Sequence, residues 1–245
     1  MGPLRHDEEP AMTVATAIRT GDLDTLRRLL GEHPGLATAR IGDGRCERTL
    51  LHVATDWPGH RPRVAATIGL LVGAGADVDA PLIGPHRETA LHWAASSDDV
   101  AAVDALLDAG ADIEAPGAVI AGGTPLADAT AFGQWRAAAR LVERGATADL
   151  FAAAALGLMD RLGELLGATP PPAREEITGC FWGACHGGRL AAARLLLAAG
   201  ADLNWIGWDH LTPLDAARRA QASELAAWLL ARGALTAAEA ARPAT

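Results

Sequence analysis

The sequence predicts an all-α solenoid of about seven helix-pair units with short projecting hairpins, and three observations carry that prediction. A glycine opening Gly-Ala or Gly-Ala-Asp recurs at Gly75, Gly110, Gly145, Gly200 and Gly233, at intervals of 35, 35, 55 and 33 residues. Threonine-led segments beginning at Thr49, Thr89, Thr124 and Thr212 precede four of these glycines by 26, 21, 21 and 21 residues. Between the two markers a short Ala-rich stretch is followed by an aliphatic run such as Leu195–Leu197, a pattern suited to two packed helices. Repetition at such a period marks units that bury their apolar faces against one another.

Each unit follows in order. Ala17–Leu30 lacks the threonine-led segment but pairs two short helices around Gly21, as a capping unit would. The second unit carries Thr-Leu-Leu-His-Val-Ala-Thr at Thr49–Thr55, and its excess length is Trp-Pro-Gly-His-Arg-Pro at Trp57–Pro62. Two prolines and a glycine continue neither helix, so this stretch is expected to project as a recognition loop. The third and fourth units, Thr89–Gly110 and Thr124–Gly145, are preceded by connections Pro81–Glu88 and Pro116–Gly123, each long enough to overhang a groove.

The fifth unit, Ala153–Leu166, repeats the capping pattern, with Gly157 and Asp160 matching Gly21 and Asp24. Only 12 residues separate Gly145 from Gly157, so its hairpin is expected to be lost near 145–152. Pro170–Pro172 then make a stiff connection, because each ring fixes φ and removes a donor. The sixth unit is degenerate over Phe181–Gly188 and recovers before Leu203, and the seventh runs from Thr212 through Gly233. The domain reading is a tail at 1–10, one solenoid over 11–235 and a fraying tail at 236–245. The lost hairpin offers a second reading, a division into 11–150 and 151–235.

Thr-Pro-Leu-His-x-Ala is approached by Thr49–Ala54, Thr89–Ala94, Thr124–Ala129 and Thr212–Ala217, and on these residues the chain resembles the ankyrin repeat, a unit of ~33 residues. The resemblance covers roughly Ala11 to Ala234 and implies an ankyrin-repeat solenoid. It also implies that His52 and His92 hydrogen-bond the backbone and tie adjacent repeats together. It says little of function, since such arrays mostly serve as binding scaffolds for unrelated partners.

Composition narrows the function classes. A formal charge of −9 excludes the clustered positive footprint that nucleic acid requires, and all the basic character is Arg, there being no Lys. No stretch approaches the ~18 apolar residues of a membrane span, and Met1–Pro10 has no apolar signal core, so a cytoplasmic protein is expected. Cys46, Cys180 and Cys185 are odd in number and fit a reducing compartment. Cys180, Cys185 and His186 lack the second ligand pair of a metal site, so neither metal nor cofactor is expected.

Within the repeat motif the x position, with the residues three and four later, is expected to face a concave groove. That row includes Val53, Asp56 and Trp57; Trp93, Ser96 and Ser97; Asp128, Ala131 and Phe132; and His186. Small Ala152, Ala155, Gly183 and Gly187 predict a depression at its middle, flanked by fingers carrying His86, Arg87, Trp205, Trp208 and His210. Tryptophans at a turn tip mark contact, whereas a purely structural scaffold would bury Trp205 and Trp208. Trp182, in place of the motif histidine, reads as packing. Asp128 is out of pattern in a column of Val53, Trp93, Gly183 and Ala216.

The candidate binding residues are therefore Trp57, His86, Arg87, Trp93, Asp128, Phe132, His186, Trp205, Trp208 and His210. Two function classes remain. The first is a non-catalytic module holding a protein segment, or a small-molecule ligand, on the concave face. The second is an enzyme using Asp128 or His186 as acid or base on a bulky apolar substrate. The chain has no Gly-x-Ser-x-Gly, P-loop, His-Glu-x-x-His or dinucleotide motif to support the second, and no catalytic residue is assigned.

Overall fold

Threonine opens most of the first helices of the pairs because its side chain can accept a hydrogen bond from the otherwise orphaned amide of the first turn. In a computed structural model describing residues 11–241, this capping places the elements where the motif predicts. The described residues fall into two compact units, one ending at Thr147 and one beginning at Ala148.

Among the described residues the first unit holds eight α-helices: α1 (Ala11–Thr20), α2 (Leu23–Glu32), α3 (Leu50–Thr55), α4 (Val64–Gly73), α5 (Ala90–Ser96), α6 (Val100–Asp108), α7 (Pro125–Ala131) and α8 (Trp135–Glu143). The odd-numbered helices pack in one row and the even-numbered in a second. Its core is built from Leu50, Leu51, Ile68, Leu71, Leu91, Leu106, Leu126 and Leu141, all essentially inaccessible. A two-stranded antiparallel ladder, β1 (Arg40–Gly42) with β2 (Glu47–Thr49), forms the first hairpin, and Glu47 bridges onward to Ile83. Gly110 closes the α6 end with φ 92°, a left-handed conformation that an L side chain would strain.

Neighbouring repeats are tied by polar side chains. The Nδ1 of His52 accepts from the Thr49 amide, which leaves the proton on Nε2, and Nε2 donates to the Glu88 carbonyl at 3.0 Å. His92 repeats the device toward the Gly123 carbonyl at 3.3 Å. At the same motif position the fourth repeat has Ala127, which has no polar group to offer. A second set of ties uses the turn residues: Asp79 accepts from the Asp112 amide at 2.9 Å, and Glu114 from the Thr147 amide at 2.6 Å.

The Trp57–Pro62 stretch is a correction to the expected projecting loop. Asp99, buried at the start of α6, caps that helix through the Ala102 amide, and its other oxygen accepts from the His60 amide. Gly59 lies so close to Ser97 that an added Cβ would stand 2.8 Å from the serine Cβ. Arg61 donates back to the Asp56 and Trp57 carbonyls. The loop is thus fastened to the next repeat, with the Trp57 side chain among those left reaching outward.

The second unit contains α9 (Leu150–Leu156), α10 (Met159–Leu166), α11 (Arg174–His186), α12 (Leu190–Ala198), α13 (Pro213–Arg219), α14 (Ser223–Leu230) and α15 (Ala237–Ala240). The expectation of a short first helix fails in the sixth unit, where α11 begins soon after the prolines and runs thirteen residues. The fraying tail expected at 236–245 is also corrected: Thr236 and Glu239 form a capping box, and the Ala237 amide donates to Asp215 at 2.7 Å. Residues 242–245 and the 1–10 tail lie outside the described residues.

Candidate functional site

In the first unit the ends of α3, α5 and α7 and the connections between them enclose an open cleft of about 450 Å³. Trp57, Trp93, Phe132 and Val119 give it apolar walls, and Asp56, Glu88, Ser96, Ser97 and Gln134 line the rest. Trp57 is 71% exposed and Phe132 47%, so both rings are open to a ligand, while Glu88 is only 8% exposed. The Trp93 ring is steadied from behind by an edge-on contact with His52 at 4.9 Å between centroids.

The acids of this region differ in environment. Asp56 pairs with Arg48 at 2.9 Å. Burial raises the Glu88 carboxyl above the usual carboxylate range, with hydrogen bonding to the Trp93 indole and the nearby His86 pulling it back. Asp128 has no exposure, and neither of its oxygens closes a hydrogen bond. Desolvation pushes it up to about 7, the Glu88 charge adds to the rise, and the amides of Ile120 and Val119 oppose it. His52 moves the other way, to about 4, because burial disfavours its charged form.

The second unit has an aromatic cluster of its own. Trp208 makes edge-on contacts with Phe151, Trp182 and Trp205 at centroid distances of 5.4, 5.1 and 5.3 Å. It tops a single 3-10 turn, Trp208–His210, in which Asp209 and His210 hold φ of 55° and 57°. Trp208 remains 46% exposed and Ile206 beside it 43%, whereas Trp205 is half-buried, so the burial expected of a purely structural scaffold is not found at Trp208. His186 lies 5.2 Å from the Trp182 ring and meets Arg219, which also pairs with Asp209. Trp182 is packing, as its position predicts, and it donates from Nε1 to the Leu211 carbonyl at 3.0 Å, the tie that histidine makes in the first unit.

The ten residues singled out by sequence are thus divided. Trp57, Trp93 and Phe132 share the cleft; His86 is half-buried and Arg87 exposed on the connection before Glu88. His186, Trp205, Trp208 and His210 belong to the second unit. Asp128 is corrected from a groove residue to a sealed one, as is Val53, because the x position of the motif points between helices here. The small-residue depression is also corrected. Ala152 and Ala155 are buried, the Phe151 ring stands 2.7 Å from where a Cβ on Gly183 would be, and a methyl on Gly187 would overlap the Ala155 carbonyl. These residues are small so that α9 and α11 can touch.

Sequence reasoning missed Glu88, Val119, Gln134 and Phe151. Glu88 immediately precedes the capping Thr89, and the acid one residue ahead of the motif was the available signal. Among the described residues no group of three His, Cys, Asp or Glu could hold a metal ion, and no helix is long and apolar enough to cross a membrane. Burial pushes the Cys180 thiol up to about 12, so it is a poor ligand and nucleophile.

The family model for ankyrin repeats matches residues 12–116 in three copies. That part of the chain carries ankyrin repeats. The matched ankyrin copies include the α3 and α5 repeats with their histidine ties, and the match ends ahead of the repeat in which Ala127 replaces histidine. No curated protein matches the chain. Ankyrin repeats generally mediate protein–protein interaction, and most of the cleft lies within the matched repeats.

Proposed function

We propose that the chain is a non-catalytic interaction module of the cytoplasm whose first unit holds a segment of a protein partner in the cleft walled by Trp57, Trp93 and Phe132. The observation that carries this reading is the exposure of two large aromatic rings around a concavity already built by the fold. Rigid aromatics beside a concavity offer large contact area at low entropic cost, the usual make-up of interface anchors. The acid–base reading is weakened by its principal group: Asp128 presents no surface to a substrate, and a catalytic acid must come within hydrogen-bond reach of the atom it protonates.

A random peptide library displayed against the purified chain tests the proposal. Selected peptides should shift the indole signals of Trp57 and Trp93 in NMR spectra and lose binding to Trp57→Ala and Phe132→Ala. Peptides indifferent to both substitutions would overturn the assignment of the cleft. A small molecule that displaces them would identify the alternative ligand class.

A further inference from the structure

Resting on that reading of the cleft, we infer that its occupant presents an organic cation, the ammonium or guanidinium side chain of a basic segment in a partner protein. The walls and floor together carry this inference. Three aromatic rings line the cleft, and the face of each carries the negative part of a quadrupole that attracts a cation. Beneath them Glu88, more than nine-tenths buried, brings a carboxyl to the cleft lining with no arginine bonded to it.

The Trp93 indole donates to that carboxyl, but no arginine pairs with it. From α3, Asp56 is already neutralised by Arg48, and His52 is held neutral by burial. On the preceding connection His86 stands near enough to pull the carboxyl back, without a bonded contact to it. From α5 come the Trp93 indole and the neutral, buried His92. From α7 comes a second acid, Asp128, which burial and the Glu88 charge hold toward its protonated form, so it supplies no countercharge. A cation entering the cleft would therefore find an acid that the protein itself does not pair. Ser96, Ser97 and Gln134 supply acceptors for its remaining N–H groups.

The open form of the cleft favours a side chain delivered by a partner over a free small cation, since Trp57 and Phe132 each leave much of their surface uncovered for the partner's chain to lie upon. The formal charge of −9 also favours a basic partner and would speed its approach.

The test uses head-group probes on the full chain: n-butylguanidinium, n-butylammonium and n-butyltrimethylammonium against the neutral 3,3-dimethylbutanol, titrated while the Trp57 and Trp93 indole signals are followed. At least one cation should bind about tenfold or more tightly than the alcohol, and Glu88→Gln should remove most of that difference. In the wild type the cation should also bind more tightly at pH 8 than at pH 5, a readout that stands if Glu88→Gln fails to fold. A peptide carrying the best head group should then bind more tightly than the head group alone. If the alcohol binds as well as the cations, the charge assignment is overturned while the cleft remains a binding site. If no probe shifts either indole, the cationic occupant is overturned, and the library selection decides separately whether the cleft binds any peptide. If the head group binds but the peptide adds nothing, the protein source is overturned in favour of a free cation.

Discussion

Replacing Asp128 by Asn should change how the stability of the first unit depends on pH. An acid raised from 3.8 to about 7 by folding keeps its proton in the native chain at pH values where the unfolded chain has lost it. Below about pH 4 both states are protonated and the group costs nothing. Between the two values stability falls as pH rises, by roughly 1.4 kcal/mol per unit, which accumulates to about 4 kcal/mol above pH 7. Asn cannot ionise, so this fall is absent from the variant. Its amide hydrogens enter a site without partners and cost about 1–3 kcal/mol, but that cost is the same at every pH. The stability of Asp128→Asn relative to wild type should therefore grow by up to about 4 kcal/mol between pH 4 and pH 8. Urea denaturation followed by tryptophan fluorescence at intervals across that range measures it. Parallel profiles for the two proteins would refute the argument, because they would mean that Asp128 ionises as readily in the fold as in the open chain.

His52 should act in the opposite sense. Its folded value of about 4 lies below the ordinary 6.5, so the stability it contributes is present above pH 6.5 and is lost as pH falls toward 4. His52→Leu should lack this acid sensitivity, about 3 kcal/mol across the window, in the same denaturation assay. In the second unit, Trp182→Phe keeps most of the packing but removes one of two donors to the Leu211 carbonyl, which retains the Gly207 amide at 2.9 Å, and should cost about 1 kcal/mol for the lost bond, read as faster amide exchange at α11 and α13. Gly187→Ala meets the Ala155 carbonyl at a position with ordinary φ, so its cost is steric; about 1–3 kcal/mol or more should appear as a lower melting temperature, and an unchanged one would mean α9 and α11 separate freely.

Much of the fold was legible because the repeat writes its punctuation in residues with one local purpose. Thr49, Thr89, Thr124 and Thr212 cap helices wherever they stand, and Gly110 needs a conformation that other residues avoid. Part of the cleft was legible for a related reason: the positions three and four after the motif's x residue reach one face of a short helix, and Asp56, Trp57, Ser96, Ser97 and Phe132 line the cleft from there. The x position itself misled, since Val53 and Asp128 turn inward while Trp93 does not, a choice made by the neighbouring helix and not by spacing. Glu88 was illegible because its importance comes from burial and from its place in a cleft shared with Trp57 and Phe132, distant in sequence. The alanines and glycines of α9 and α11 suggested a hollow, but small side chains admit either a void or a closer backbone, and packing density resolves this in favour of contact.

Asp98 and Asp99 are neighbours in one turn, yet they reach in opposite directions along the chain. Asp99 takes the amide of His60, thirty-nine residues earlier, and Asp98 takes that of Ala137, thirty-nine residues later. During synthesis, which proceeds from the N-terminus at ~5–20 residues per second, the Trp57 loop lacks its clasp to the third repeat until Asp99 has left the ribosome. A nascent chain halted before Asp99 would carry α1 to α5 without the clasp that ties the loop to the third repeat, and one that has exposed Asp99 could form it. Asp99 thus sets a point in translation after which the Trp57 loop can be held in place, before Phe132 and the second unit have been made.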